Sequence, residues 1–260
     1  MYIITGHSGF VGENFLSKFK SDKEKIVIIK KRFKNIENTN DKHIKVINLA
    51  TKYLKQHSSK DIELILKANL LYPINIIEKI NVKKKIIFFN FCSYFQKSTN
   101  QKKRGNFYSA SKSALSLFLK YYKNKFNIKI YNIYIYDTFG FNDKRKKLFN
   151  EIIKAYKSNK KLIIKNYNYE MAPIYIDDLV DLLIKYINDK KRPKEIHCHQ
   201  QKILSINKIC KIATKTMPKL KLVFLKNKIK NKIYIKDNSK YWSPKIKVDH
   251  RLKFFFKSYV

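Results

Sequence analysis

Glycine and proline are scarce, five of each in 260 residues, and no Ser/Gly-rich or Pro-rich stretch occurs. That excludes a flexible or Pro-rich linker, a low-complexity tract and a collagen-like chain. Cysteine is scarcer still. Cys92, Cys198 and Cys210 are odd in number and lack paired spacing, so neither a disulfide framework nor a zinc knuckle is expected, and a reducing compartment fits. Long apolar runs are also missing: Ile86 to Phe89 is strand length, far below the roughly 18–20 residues of a membrane helix. The apolar start Tyr2 to Thr5 runs straight into Gly6, without the basic opening and small-residue cleavage site of a secretory signal. A cytoplasmic chain with no transmembrane segment is expected.

Acidic residues are few, 19 against 58 basic, for a formal charge of +39. Such a charge raises the question of nucleic acid. Base and bidentate phosphate recognition lean on arginine, however, and only Arg32, Arg104, Arg145, Arg192 and Arg251 are present. Lysine is spread over the whole chain, as a residue-usage bias would spread it, so no dedicated nucleic-acid partner is expected. The field still favours a substrate or cofactor carrying several phosphates.

What is present is enough apolar content, 44%, for a sizeable core. Tyr2 to Thr5 reads as a buried strand, Gly6 to Gly12 as a turn, and Phe10 to Phe19 as a helix with Phe15, Leu16 and Phe19 on one face. Strands follow at Ile26 to Ile29 and His43 to Leu49, a helix at Ile62 to Ile80, a strand at Lys85 to Cys92, a helix at Tyr108 to Lys123 and a strand at Ile128 to Tyr136. This alternation predicts an α/β fold, a Rossmann-type doubly wound parallel sheet. It is expected to occupy residues 1–142, with a return segment near 171–200. Residues 143–260 are expected to form mostly a small C-terminal substrate-binding lobe with helices at Lys147 to Lys157, near Asp177, at Ile206 to Thr214 and near Asp249 to Tyr259.

Gly6, Gly9 and Gly12 stand at 3+3 spacing directly after the first strand. Glycines there permit a tight turn and close approach of backbone to a pyrophosphate, and the following helix N-terminus offers free N–H groups. The second strand runs into Lys30-Lys31-Arg32 where dinucleotide folds commonly carry an acid for the ribose diol. Lys31 and Arg32 suit a 2′-phosphate instead, so NADP is expected, with NAD as the alternative.

Tyr108 and Lys112, four residues apart, share one face of the predicted helix. A neighbouring ammonium stabilises phenolate and fits the phenol for proton exchange at a hydroxyl or ketone. Ser93 lies just past the preceding apolar strand, where its hydroxyl would meet the reacting oxygen.

The glycine triplet, Asn48-Leu49-Ala50, Ala68-Asn69-Leu70-Leu71-Tyr72-Pro73, Ser93 and Tyr108-xxx-Lys112 occur in the order and approximate spacing of extended short-chain dehydrogenase/reductases, which this chain resembles over nearly its whole length. Asp137-Thr138-Phe139-Gly140, Ile174-Tyr175-Ile176-Asp177-Asp178 and Trp242-Ser243-Pro244 are similar to the sugar-nucleotide epimerase/dehydratase branch. Asn69 to Pro73 and Phe139 to Arg145 look most like its CDP-abequose synthase group of NADPH-dependent 4-ketoreductases. The resemblance implies an enzyme reducing a 4-keto group of a nucleoside-diphosphate sugar, with an NAD-dependent 4-epimerase as the nearest rival. It implies a cofactor site of Gly6, Ser8, Gly9, Phe10, Val11, Gly12, Lys31, Arg32, Leu49, Ala50, Thr51, Asn69, Tyr108 and Lys112. Ser93, Tyr108 and Lys112 would be catalytic, and Ser93, Asp137, Thr138 and Arg145 would meet the substrate. A homodimer through the helices carrying Asn69 and Tyr108 is implied as well.

Three departures qualify this picture. About twenty residues separate the second strand from Asn48, so the unit carrying a further strand is shortened. Ser93 is followed by Tyr94 and Phe95 rather than the Asp-Glu pair of the branch's dehydratases, which disfavours dehydration. The glycine usual in the last helix is replaced near Arg251. Outside the resemblance, His197-Cys198-His199 has no further ligand type nearby, so no metal is expected, and Phe254, Phe255 and Phe256 are expected to pack rather than to lie on a membrane. A non-catalytic nucleotide- or polyanion-binding scaffold is the alternative of another class.

Overall fold

The computed structural model describes residues 1–21, 23–29, 41–54, 56–80, 85–97, 106–126, 128–200, 202–225, 233, 235–236 and 239–260. Lys31 and Arg32 lie outside the described residues. The chain divides into two compact units, Met1–Ile135 with Leu183–Ile196, and Tyr136–Leu182 with His197–Val260.

The first unit is built on β1 (Tyr2–Thr5), β2 (Ile26–Ile28), β3 (His43–Asn48), β4 (Lys85–Ser93) and β5 (Lys129–Ile135), joined by β10 (Glu195–Cys198) in the order β10-β5-β4-β3-β1-β2. The pairs β1–β2, β1–β3, β3–β4 and β4–β5 are parallel. Parallel strands need crossovers, and the helices supply them: α1 (Phe10–Lys18), α2 (Ser59–Leu66), α3 (Tyr72–Lys79) and α4 (Phe107–Phe126). Both sheet faces are covered, which is why the strands read as near-continuous apolar runs. Ile3, Val46 and Phe88 pack with Ile76 and Ile77 of α3 and Leu115 and Leu119 of α4. On the opposite face Phe15 and Phe19 stack with ring centroids 4.7 Å apart, and Tyr2 meets Phe19 edge-on at 5.0 Å. The fold is therefore a doubly wound Rossmann-type sheet, as its sequence pattern leads one to expect. Among the described residues β2 is the edge strand, in keeping with the short interval before Asn48.

One expected element is corrected. The helix over Ile62 to Ile80 begins earlier, at a capping box of Ser58 and Asp61, and is interrupted by a π-helical turn over Lys67–Leu71. Apolar spacing does not reveal such a turn, because one inserted residue shifts the pattern without breaking it.

The second unit carries α5 (Leu148–Lys157), α7 (Ile206–Thr216), α8 (Val248–Lys257) and the first part of α6 (Ile176–Asn188), with three two-stranded ribbons. β6 (Thr138–Phe139) pairs with β9 (Ile174–Tyr175), β7 (Leu162–Ile164) with β12 (Leu222–Phe224), and β8 (Glu170–Met171) with β11 (Leu204–Ser205). Aromatic packing holds it together: Phe139 stacks on Phe149 at 4.6 Å and meets Phe255 edge-on at 5.5 Å. Phe255 and Phe256 are buried and Phe254 is exposed. His197 lies on β10 and His199 just beyond its end. Each ring is engaged: His197 Nδ1 meets Tyr136 Oη at 2.9 Å, and the His199 nitrogens meet the carbonyls of Gln200 and Lys236 at 2.9 and 2.8 Å.

Candidate active site

The turn between β1 and α1 places Gly6, Ser8, Gly9, Phe10, Val11 and Gly12 together. Gly6 has φ +71°, and a Cβ there would lie 2.4 Å from Ala50 N and from Leu49 C. A Cβ on Gly12 would lie 2.0 Å from the Gly6 carbonyl oxygen. These two glycines are required by the fold itself. Gly9 differs, since a Cβ there would make only an ordinary 3.4 Å contact with Gly6 O. Gly9 and Ser8 are exposed, and Gly9 is the N-cap of α1 with no side chain capping the helix. An exposed helix start with no side-chain cap is the geometry that accepts a phosphate.

Beside the turn, Leu49, Ala50 and Thr51 leave β3 with their backbone fixed. Ala50 N–H donates to Thr5 Oγ1 at 3.1 Å, and Thr5 Oγ1 donates to Asn48 Oδ1 at 2.9 Å. Asn69, fully buried on the π turn, ties this segment to α4. Its Oδ1 accepts from Thr51 Oγ1 at 2.9 Å and Lys52 N–H at 2.8 Å, and its Nδ2 donates to Lys52 O at 3.0 Å and Ser111 Oγ at 2.9 Å.

Tyr108 and Lys112 lie one turn apart on α4, as the spacing requires. The Tyr108 ring meets Tyr53 edge-on at 5.0 Å. Lys112 is 2% exposed. Burial pushes its ammonium down to about 8, with the nearby Cys92 sulfur acting against that shift. Ser93 closes β4; its N–H donates to Gln96 Oε1 at 2.8 Å and its Oγ accepts from Phe95 N–H at 3.3 Å. With that lone pair engaged, the hydroxyl hydrogen is left to donate elsewhere. Gln96 is a neutral amide, and no carboxylate stands in the run Ser93-Tyr94-Phe95-Gln96.

A nicotinamide dinucleotide fits these residues: an uncapped helix start at an exposed glycine, a fixed Leu49–Thr51 edge, and a buried lysine whose ammonium is held at a desolvation cost. Gly6 to Gly12, Leu49 to Thr51, Asn69, Ser93, Tyr108 and Lys112 all belong to the first unit.

Asp137, Thr138 and Arg145 belong to the second unit. The Arg145 guanidinium donates from Nε to Asp143 Oδ1 at 2.6 Å, and from one terminal nitrogen to Asp143 Oδ2 at 2.7 Å and Thr138 Oγ1 at 2.9 Å. Asp137 O accepts from Ile174 N–H at 2.8 Å. Sequence reasoning missed two members of this cluster. Asp143 clamps Arg145, and Lys147, at the N-cap of α5, is pushed down to about 8 by burial and by Arg145, with Asp137 and Asp143 opposing. A lysine inside so lysine-rich a chain carries no signal of its own; the Asp-x-Arg-x-Lys alternation was the trace available.

Residues 2–198 match the NAD dependent epimerase/dehydratase family, and the chain belongs to that family. Among curated proteins it is similar to the CDP-abequose synthase of Yersinia pseudotuberculosis, 31% identical over 145 residues, which are 55% of this chain and 50% of that protein. The chain thus matches about half the length of that relative. Among solved structures it is similar to a UDP-glucuronic acid 4-epimerase variant from Bacillus cereus in complex with UDP-4-deoxy-4-fluoro-glucuronic acid and NAD, with TM-score 0.80, 16% identity, and coverage of 99% of this chain and 98% of that one. RMD from Pseudomonas aeruginosa, complexed with NADPH, gives TM-score 0.78 at 11% identity, with coverage of 99% and 98%. Among the described residues no helix is long and apolar enough to cross a membrane.

Proposed function

We propose that this protein is an NADPH-dependent reductase of a 4-keto group on a nucleoside-diphosphate sugar. The observation that carries the reading is the buried Lys112 ammonium one helical turn from Tyr108, on a helix fastened through Asn69 to the edge of the glycine turn. The likeness to CDP-abequose synthase supports a keto-sugar substrate, and Lys31 and Arg32 support NADPH over NADH.

Gly6 to Gly12 and the start of α1 hold the pyrophosphate, and Leu49 to Thr51 with Asn69 flank the nucleotide. Bound there, the nicotinamide supplies hydride to the keto carbon. Tyr108 gives its phenolic proton to the keto oxygen, and Lys112 stabilises the phenolate left behind. Ser93 donates its hydroxyl hydrogen to the same oxygen and orients it. Asp137, Thr138 and Arg145 meet the nucleotide sugar. The neutral Tyr94-Phe95-Gln96 run lacks the acid and base needed to remove water, which sets reduction above dehydration.

The test is to mix protein stripped of nucleotide with NADPH and CDP- or dTDP-linked 4-keto sugars. Oxidation of one NADPH per sugar reduced supports the reading. Interconversion of 4-hydroxyl epimers with retained NAD and no net oxidation would establish the epimerase instead, and absence of any dinucleotide binding would leave a non-catalytic scaffold.

The same reading includes a homodimer through the helices carrying Asn69 and Tyr108, the latter being α4. Leu117 is 64% exposed, Phe118 46% and Tyr121 52%, and with Tyr122 they line an apolar groove on this helix. A second copy presents the same apolar patch, so a two-fold contact through it would be isologous. Light scattering should give twice the chain mass for the native protein and the chain mass for a Leu117→Glu/Phe118→Glu variant that still binds NADPH. A native monomer at tens of micromolar would refute the dimer.

A further inference from the structure

Four adjacent strands carry a polar residue at one register level. Thr5 pairs with Asn48, Asn48 with Asn90, and Asn90 with Asn132. Two residues earlier on the same face stand Ile3, Val46, Phe88 and Ile130, all part of or packed on the apolar core. The row therefore caps that core along the carboxyl ends of the strands. Thr5, Asn48 and Asn90 are buried, so each of their polar groups needs a partner.

Most have one. Asn48 Oδ1 accepts from Thr5 Oγ1 at 2.9 Å, and Thr5 Oγ1 accepts from Ala50 N–H at 3.1 Å. At the other end Asn90 Nδ2 donates to Asn132 Oδ1 at 2.9 Å and lies 3.4 Å from Ser116 Oγ on α4. Ser116 Oγ donates to Lys112 O at 3.2 Å and is approached by Gln96 Nε2 at 3.5 Å, while Gln96 Oε1 takes the Ser93 N–H at 2.8 Å. In the middle of the row two buried groups have no hydrogen-bond partner among the described residues: Asn48 Nδ2, a donor, and Asn90 Oδ1, an acceptor. They belong to register partners, so their side chains leave the same face of neighbouring strands, about 4.8 Å apart at the backbone.

We propose that a single buried water binds between Asn48 and Asn90, accepting from Asn48 Nδ2 and donating to Asn90 Oδ1. An unmatched donor and an unmatched acceptor on adjacent strands, with no direct bond between them, are what one bridging water satisfies. The water makes the row continuous, from the Ala50 N–H beside Gly6 to the Ser93 N–H at the end of β4. Asn48 and Asn90 are then positioning residues, which tie the edge of the cofactor turn to the Ser93 loop through one chain of hydrogen bonds. The effect on turnover rests on the role proposed for Ser93; the water site does not.

A high-resolution crystal structure of the nucleotide-free protein tests the site directly. One ordered water within about 3 Å of both Asn48 Nδ2 and Asn90 Oδ1 is expected. Two amides bonded directly to each other, or no ordered water between them, would overturn the proposal. The coupling is tested with Asn48→Leu, Asn90→Leu and the double variant, which keep volume and remove the polar ends. Each single change should weaken NADPH binding about tenfold, and the double variant should be no weaker than the poorer single, because one water serves both. A hundredfold, additive loss would refute the shared water. Thr5→Ser should retain native affinity and Thr5→Val should match Asn48→Leu; equal loss in both would mean that only packing matters. NADPH affinity is readable whatever the sugar substrate, and the crystallographic result stands even if the leucine variants do not fold.

Discussion

Asn69 Nδ2 donates to Ser111 Oγ at 2.9 Å, and Ser111 is the residue immediately before Lys112. Ser111 Oγ in turn donates to Tyr108 O at 2.8 Å. A single amide on the π turn thus reaches the backbone of the tyrosine and the neighbour of the lysine, while its oxygen holds Thr51 and Lys52. Buried hydrogen-bonded amides of this kind rigidify what they join. The glycine-turn edge and the Tyr108–Lys112 face are fixed to each other within one unit.

The glycines separate folding from binding. Gly12→Ala sets a methyl 2.0 Å from Gly6 O and should lower Tm sharply or prevent folding. Gly9→Ala makes only a 3.4 Å contact, so it should change stability by less than about 0.5 kcal/mol while weakening NADPH binding at least tenfold, because the methyl occupies the approach to the helix start. Thermal melts with parallel fluorescence titrations check both, and a Gly9→Ala variant of native affinity would remove the pyrophosphate from this turn.

Lys112 should be a liability in the cofactor-free protein. Its folded value of about 8 lies below the unfolded value near 10.4, so between them the unfolded chain binds more protons and stability rises with pH; below about 8 the full cost of burying the ammonium is present. Lys112→Met should therefore raise Tm at pH 7, by an amount on the order of 2 kcal/mol or several degrees, and the advantage should shrink toward pH 10. Lys147 titrates in the same window in both proteins and cancels in the comparison. A variant less stable than the native protein at pH 7 would show that Lys112 is not held at a cost.

Arg251 is held by a buried carboxylate and an aromatic ring. Its guanidinium forms a two-point ion pair with Asp178, which is 7% exposed and also accepts from Gln200 Nε2 at 3.1 Å, and it lies over the Tyr175 ring at 4.8 Å. Arg251→Leu leaves a buried carboxylate without its cation and should cost roughly 3–5 kcal/mol, with Asp178→Asn in the same background recovering part of the loss. Chemical denaturation measures both; a cost below about 1 kcal/mol would mean that Asp178 is solvated after all.

Much of this was legible in the sequence. The alternation of Ile-rich strands with helices predicts the parallel sheet, and Gly6 and Gly12 marked a tight turn, where an added Cβ would lie 2.4 Å from Ala50 N and 2.0 Å from Gly6 O. Tyr108 and Lys112 were legible because four residues on a helix fix a shared face. The π turn at Lys67–Leu71, Asp143 and Lys147 were not. The first leaves apolar spacing intact, and the other two matter through partners that become neighbours only on folding. The Thr5–Asn48–Asn90–Asn132 row was visible residue by residue, but its meaning depends on strand register, which sequence alone leaves open.

The proposed chemistry is tested most directly by single-turnover hydride transfer from NADPH to a CDP-linked 4-keto sugar in the native protein and in Tyr108→Phe. Native protein should oxidise one NADPH per active site, and Tyr108→Phe saturated with NADPH should transfer hydride at least about a hundredfold more slowly, because the proton donor is gone. Equal rates in the two proteins would contradict Tyr108 as the acid, and with it the account of the site.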